Sequence, residues 1–536
     1  MKRVASYAKD KSVSLYDAIV ENDLVSDENL GSLVSDFLKI PMISLSKVEI
    51  SPEALNIVPE NVARAQKMIA FSVEGDSVKI ATSNPDNRET IDMISRKVGK
   101  KVYVYLTTDR DIANALSLYK KELQKTFDEI LVEQVQEAGR SASKEAPVAK
   151  IVDTLIEYAY DNKASDIHIE PGEEDSLVRF RIDGVLHDVL KLPNDLHDQV
   201  VSRIKVLSRL RTDEHMSAQD GKLSMKVHEE ELDIRVSIVP IVEGEKTVLR
   251  LLTSHFRQFG LADLGMNDRD LAKVKNGFMK PYGMVLSTGP TGSGKSTSMY
   301  AILKILNTRE KNIATIEDPV EYTIDGLNQI QVNAKTNLTF ANGLRSLLRQ
   351  DPDIIYVGEI RDEETADIAI NSAMTGHLVL STLHTNDAAT ALPRLIDMHI
   401  EPFLVASTVN VIIGQRLIRK ICEKCKTSFT KKPEELTSLI SIEEVKKHFG
   451  QSGEIRMYHG KGCSMCHMTG YRGRIGIFEV LEVSAAIQEL INQKADSDVI
   501  VKRAVIEGMI TMIEDGLDKV QQGITTIEEV LRATKE

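Results

Sequence analysis

Apolar positions along the chain change period several times, and each change marks an expected element. Near the N-terminus LYDAIVENDLVSDENLGSLVSDFL spaces its apolar residues as a helix does, SVEGDSVKIATS alternates, and KKVYVYLT reads as a strand. These segments predict a small α+β domain over residues 1–120. From 121 to 146 the chain turns polar and ends in a Ser/Ala/Lys/Glu stretch, which predicts a helix fraying into a linker. VAKIVDTLIEYAYDNKA returns to a helical period, and SDIHIEP, LVRFRIDGVL, ELDIRVSIVP and KTVLRLL follow as strand candidates, so a second α+β domain is expected over 147–252.

Over residues 253–420 short apolar runs (GMVLSTG, NIATIED, DIIYVGE, HLVLSTL) alternate with helical segments, the α/β pattern of a parallel sheet covered on both faces. Residues 421–479 contain the cysteines, and 480–536 predict an acidic helical region with IQELINQ and IEEVLRATKE as its clearest pieces. A chain of 536 residues with 42% apolar and 27% charged positions accommodates several such cores and excludes a collagenous or largely disordered class. No run approaches the roughly 20 apolar residues of a membrane span, and MKRVASYAKDKS leads into no apolar segment, so a cytoplasmic location is expected. The net charge of −13 argues against a general nucleic-acid role while leaving a local basic groove open.

Residues 289–296 read GPTGSGKS, between the strand MVLST and the helix TSMYAILKIL. Gly289, Gly292 and Gly294 let backbone N–H groups curl around phosphate oxygens, with Pro290, Thr291 and Ser293 between them, and the helix N-terminus adds partial positive charge. Lys295 is expected at the β- and γ-phosphates, Ser296 on Mg²⁺, and Thr297 at the α-phosphate or in the first helical turn.

In DPDIIYVGEIRD, Glu359 stands at the C-terminal tip of an apolar strand, where open α/β sheets bind ligands, and Asp353 lies at the opposite end. Glu359 is therefore favoured for orienting the attacking water. TIEDPVEY offers Glu317, Asp318 and Glu321 at another strand end, an acidic cluster that implies a cation, although spacing does not allot the roles. His377 and His384 flank LVLST, and a γ-phosphate sensor is expected at one or both.

In this order GPTGSGKST, TIEDPVEY, LRQDPDIIYVGEIRD and TGHLVLSTLHTNDA resemble the Walker A, Asp box, Walker B and His box of the secretion-superfamily ATPases that power type II secretion and type IV pilus assembly. The likeness extends upstream through APVAKIVDTLIEYAYDNKASDIHIEP and covers residues 146 to 536. It implies a RecA-like P-loop core, ATP and Mg²⁺ as ligands, a homohexameric ring, and an inner-membrane platform protein as the partner through which the ring meets the cytoplasmic membrane. It also implies that the domain before the core supplies arginines to a nucleotide site, with Arg235 and Arg250 as candidates and Arg179 and Arg181 as strand arginines nearby. The family's P-Q-D-G-R stands here as Ala218, Gln219, Asp220, Gly221 and Lys222, and lysine lacks the bidentate guanidinium fork. Arg345 and Arg349, four apart on one helix face, are further phosphate or interface candidates.

Cys422, Cys425, Cys463 and Cys466 form two C-x-x-C pairs, a spacing that points to one structural zinc held by four thiolates, with His459 and His467 as conceivable substitutes. The resemblance agrees, since assembly and secretion members carry a tetracysteine subdomain and retraction members lack it. Some relatives bind cyclic di-GMP through an N-terminal R-L-G-x-x-L motif; here Ser14, Leu15, Tyr16 and Asn22 replace it, so no such binding is expected. The reading is a motor ATPase for pilus or pseudopilus assembly, with a DNA-uptake or conjugation motor, or a nucleotide-gated adaptor, as alternatives.

Overall fold

The structure is a computed structural model that describes residues 27–116, 145–252 and 260–535, apart from 46, 47, 49, 51, 56, 86, 229, 438, 451–453 and 467. The expected linker lies outside these residues except for Glu145 and Ala146, which open the helix Glu145–Asp161, and so do the positions bearing on cyclic di-GMP. Among the described residues no helix is long and apolar enough to cross a membrane.

The N-terminal segment forms a three-stranded sheet of β1 (Met68–Glu74), β2 (Ser77–Thr82) and β3 (Lys101–Leu106). The first two strands pair antiparallel, and the helix Arg88–Val98 carries the chain over to the parallel β3. Ile69, Val78 and Ile80 are fully buried in the core of this segment.

The next segment is a six-stranded antiparallel sheet built from β4 (Ala164–Glu170), β5 (Asp175–Ile182), β6 (Val185–Pro193), β7 (Gln219–Val227), β8 (Glu230–Ile241) and β9 (Gly244–Leu252). Their order is β6-β5-β4-β9-β8-β7. Where the sequence suggested one strand in LVRFRIDGVL there is a hairpin. Asp183 and Gly184 both take positive φ (50° and 87°), the tight turn whose twist matches that of paired strands. Alternation sends Ile167, Phe180, Ile234 and Val236 into a core with Ile151, Leu155, Val200 and Ile204 of the helices Glu145–Asp161 and Asn194–Leu207. On the opposite face the register lines up Arg181, Asp166, Arg250, Arg235 and Lys222 as direct neighbours across five adjacent strands.

From Gly283 onward the chain builds a seven-stranded sheet: β10 (Gly283–Thr288), β11 (Ile313–Glu317), β12 (Leu327–Gln331), β13 (Ile354–Val357), β14 (Leu378–Leu383), β15 (Val409–Ile421) and, after the hairpin β16 (Lys426–Lys431) and β17 (Ile455–Gly460), β18 (Tyr471–Glu482). The order is β12-β11-β13-β14-β10-β15-β18. Six strands run parallel, as expected; β18 departs from that pattern and closes the edge antiparallel to β15. It spans the border between 479 and 480 drawn from sequence, because the chain returns from the cysteine region straight into the main sheet. Apolar side chains pack on both faces, Leu286, Val357 and Leu383 on one and Val285, Tyr356 and Phe478 on the other. The hairpin β16–β17 sits over a smaller core of Ile418, Met457, Leu517 and Val530.

Candidate nucleotide and metal sites

β10 ends at Thr288 and the helix Lys295–Leu306 begins directly after the glycine loop. Gly289, Gly292 and Gly294 have φ of 141°, 82° and 91°, and a Cβ on Gly289 would lie 2.4 Å from the Gln415 carbonyl oxygen, so the loop curls as its sequence requires. No side chain caps the helix, and its first N–H groups are left for an anion. Lys295 is buried and folded back, its Nζ donating to the carbonyls of Gly289 (2.7 Å) and Pro290 (2.9 Å). Burial pulls its pKa down to about 8, Glu359 opposes the shift and Arg416 adds to it. The hydroxyls of Thr288 and Ser293 are buried without hydrogen-bond partners among the described residues, which fits a loop that expects a polar ligand. Ser296 is half-buried against the Tyr356 phenol, Thr297 is half-buried beside it and Thr291 is exposed.

Past Val357 the strand β13 is pinned to both neighbours: Gly358 N–H donates to Ile316 O (2.8 Å), and Thr382 Oγ1 donates to Gly358 O (2.7 Å). The next residue, Glu359, is 7% exposed at this edge. Its Oε1 pairs with Arg361 at 2.6 Å and its Oε2 meets His384 Nε2 at 3.1 Å. Asp353, at the other end of β13, accepts the N–H of Asn312 at 2.7 Å and ties down the opposite edge. The two histidines part in the same way. His377 immediately precedes β14 with Nδ1 on Ser372 O (3.0 Å), and the strand sets it roughly 20 Å from His384.

Glu317 ends β11 and is 3% exposed. It accepts hydrogen bonds from Thr315 Oγ1 (2.6 Å), Gln329 Nε2 (3.3 Å) and the Tyr300 hydroxyl. Burial raises its pKa against these three donors, and the negative charge of Glu321 adds to the rise. Glu321 stands close by, its N–H on the Tyr300 oxygen at 3.3 Å. The acidic cluster is thus divided: Glu317 is enclosed by donors, and Asp318 is exposed within electrostatic reach of Arg361. Arg345 pairs with Glu364 at 2.6 Å, and Arg349 bonds the Ser346 hydroxyl at 3.2 Å.

On the antiparallel sheet Asp166 is 4% exposed and holds Arg250 Nε at 2.9 Å and Arg181 Nε at 3.5 Å. Arg179 pairs with Glu170, and Lys222 pairs with Asp233 at 3.0 Å. Arg235 is half-buried between the strand neighbours Lys222 and Arg250.

The four cysteines converge although 37 residues separate the pairs. Their sulfurs all lie within 4.8 Å of one another, with Cys422–Cys463, Cys425–Cys466 and Cys463–Cys466 at 3.9, 3.8 and 3.7 Å. A tetrahedral zinc with bonds of about 2.3 Å needs edges of about 3.8 Å, so the donor set fits that ion. Gly460 and Gly470 let the two knuckles meet, since a Cβ on Gly460 would lie 2.0 Å from Gly470 O. His459 turns instead to Thr427 and the Phe429 ring, and His467 is outside the described residues.

Sequence reasoning missed Arg361, Tyr300, Gln415 and Arg416. Arg361 lay inside the quoted GEIRD; the others come from elements whose proximity only the strand order reveals.

A model of the type II/IV secretion system protein family matches residues 141–532, most of the chain. The chain belongs to this family. A second model, the MshEN domain, matches residues 38–125. The type IV pilus assembly ATPase PilB of Myxococcus xanthus is 38% identical over 96% of this chain and 93% of its own length. The type II secretion system protein E of Dickeya dadantii is 39% identical over 91% and 98%. The solved ATPase DotB of Legionella pneumophila superposes with a TM-score of 0.53 at 22% identity, covering 70% of this chain and 93% of its own, a likeness of fold. This secretion-family chain is an ATPase, as its phosphate loop and family membership together require.

Proposed function

We propose that this ATPase works as a hexameric motor that turns ATP hydrolysis into domain motion and drives assembly of a type IV pilus or a type II secretion pseudopilus. The names of the relatives support the choice of machine. The observation that carries the motor reading is Glu359, buried at the strand tip beside the glycine loop and shared between Arg361 and His384. In the cycle we envisage, Lys295 exchanges the carbonyls of Gly289 and Pro290 for β- and γ-phosphate oxygens, while the backbone N–H groups of the 289–297 loop, which Pro290 lacks, cradle the phosphates. Ser296 would hold Mg²⁺, which when bound neutralises charge on the phosphate oxygens. Glu359, freed at one oxygen, takes the proton of the attacking water. His384 passes the state of the γ-phosphate to it through their shared hydrogen bond.

Glu317 and Glu321 complete the acidic edge. Arg235 and Arg250 would serve the nucleotide of a neighbouring subunit, where an arginine contributes roughly 10³–10⁵ in rate. Cys422, Cys425, Cys463 and Cys466 would hold a structural Zn²⁺, with every coordination position filled by protein. The partner is an inner-membrane platform protein, which would bring the cytoplasmic ring to the membrane; no nucleic acid takes part. Steady-state ATPase assays of the purified protein beside Glu359→Gln, with mass followed by light scattering, test this. Hydrolysis that accompanies hexamers and falls at least about a hundredfold in the variant is expected. Equal turnover in the two proteins would overturn it.

A further inference from the structure

β15 runs parallel to β10 and extends beyond it: Thr288, the last residue of β10, pairs with Gly414, so Gln415 and Arg416 continue alongside the glycine loop. Gln415 supports the loop. Its Oε1 accepts the Ser298 hydroxyl at 2.7 Å, and its amide nitrogen lies 2.7 Å from where a Cβ on Gly294 would stand. Arg416 is different. It is 7% exposed, and its hydrogen bond goes to a neutral acceptor, the Asn386 carbonyl, at 3.3 Å.

Among the described residues no carboxylate forms an ion pair with Arg416, although buried cations are ordinarily paired. Two ionisable groups feel its charge. Lys295 is a second buried cation and is repelled by it. Glu479, on β18 opposite Gly414, is attracted to it, but its Oε1 is engaged with the Ala388 N–H at 2.7 Å. Asp387 also faces Glu479. The edge beside the glycine loop therefore holds two buried positive charges on adjacent elements, and among the described residues its nearby carboxylates are engaged elsewhere, Glu359 with Arg361 and His384 and Glu479 with the Ala388 N–H. A nucleotide polyphosphate supplies an anion.

We propose that Arg416 is a positioning residue of the ATP site: it places a second buried positive charge behind Lys295 for the polyphosphate and holds the loop that follows His384 through the Asn386 carbonyl. The inference rests on the ATP-site reading above.

The test compares full-length wild type, Arg416→Met and Arg416→Lys for unliganded melting temperature and for equilibrium binding of a non-hydrolysable ATP analogue, ADP and AMP. Arg416→Met removes a buried charge that has no ion-pair partner among the described residues, so its unliganded melting temperature is expected to stay level or rise. Its affinity should fall about tenfold for the ATP analogue, less for ADP and under about twofold for AMP, in the order of phosphate charge. Arg416→Lys should retain affinity within about threefold. A variant that melts lower and binds all three nucleotides as wild type does, or loses all three equally, would make Arg416 a structural brace and overturn the proposal. Wild type that binds no ATP analogue would instead overturn the site reading, and the proposal with it.

Discussion

Replacing Cys463 by serine tests the metal site most directly. The Cys463 sulfur lies 3.9 Å from that of Cys422 and 3.7 Å from that of Cys466, two of the three tetrahedron edges that meet at it. Without metal two of the four thiols resist ionisation: burial pushes the Cys425 thiol up to about 12 and raises that of Cys422, whereas at Cys466 burial is outweighed by hydrogen bonds from the Cys463 and Gly470 N–H groups and the pKa falls. Thiolates at Cys422 and Cys425 therefore depend on the cation, and four thiolates on zinc are worth on the order of 10 kcal/mol of local folding. Serine offers a poor ligand, and His459 is engaged with Thr427 on the neighbouring strand. Most of that free energy should be lost. The damage should also be confined, because the core of Ile418, Leu517 and Val530 beneath the hairpin is apolar and independent of the metal. Metal analysis is expected to give one zinc per chain in wild type and well under half in Cys463→Ser. Peptide-resolved hydrogen exchange should show fast exchange across 422–425 and 455–470, with β10, β13 and β14 still protected. A variant that keeps a full equivalent of zinc and an unchanged exchange pattern would refute the four-thiolate assignment.

Two more outcomes follow from buried carboxylates. Asp166→Asn leaves Arg181 and Arg250 without the anion they share, and after discounting for the exposure of Arg250 the cost should be about 2 kcal/mol, read as a lower urea midpoint with faster exchange in β4 and β9. An unchanged midpoint would mean that Asp166 does not hold these two arginines in place. Glu479 is pushed up to about 7 by burial, so the folded state binds its proton more tightly than the unfolded chain does, and stability falls as pH rises from about 4.5 to 7 and then levels off. Glu479→Gln should remove that slope and gain up to about 3 kcal/mol relative to wild type at pH 8, measured by denaturant titrations at pH 5 and pH 8. Parallel pH profiles for the two proteins would contradict this.

The glycine loop and the cysteine pairs were legible in the sequence because each is a local device, a few adjacent residues whose types set both backbone and chemistry. Glu359 was preferred to Asp353 from the direction of one apolar strand, and the two carboxylates do stand at opposite edges. What could not be read depends on pairing between distant segments. LVRFRIDGVL alternates continuously, so the Asp183–Gly184 turn was overlooked in favour of one long strand. QDGKLSMKV is too polar to suggest β7, yet only its Leu223 and Val227 need to be buried. β18 gives no sign in its own residues that it runs antiparallel. Arg416 looks like an ordinary strand arginine until β15 is set beside β10.

Parallel register explains why four separated motifs meet. Ile316 pairs with Val357, Val357 with Ser381, and Leu383 with Thr288, so the C-terminal ends of β11, β13, β14 and β10 share one edge. The carboxylates there differ in how firmly they are held. Glu317 has three donors on its two oxygens, two of them from the buried side chains Thr315 and Tyr300, and turning it would break all three bonds in a dry environment. Glu359 is also buried, but its partners Arg361 and His384 have side chains 63% and 46% exposed. An ion pair with so exposed an arginine is worth about 0–1 kcal/mol, and the histidine bond depends on ring protonation, so releasing one oxygen of Glu359 costs little. In the proposed cycle the edge therefore combines a fixed carboxylate that maintains the framework with a releasable one suited to the water. The groups that release it are the ones that a γ-phosphate or a neighbouring subunit can reach from solvent.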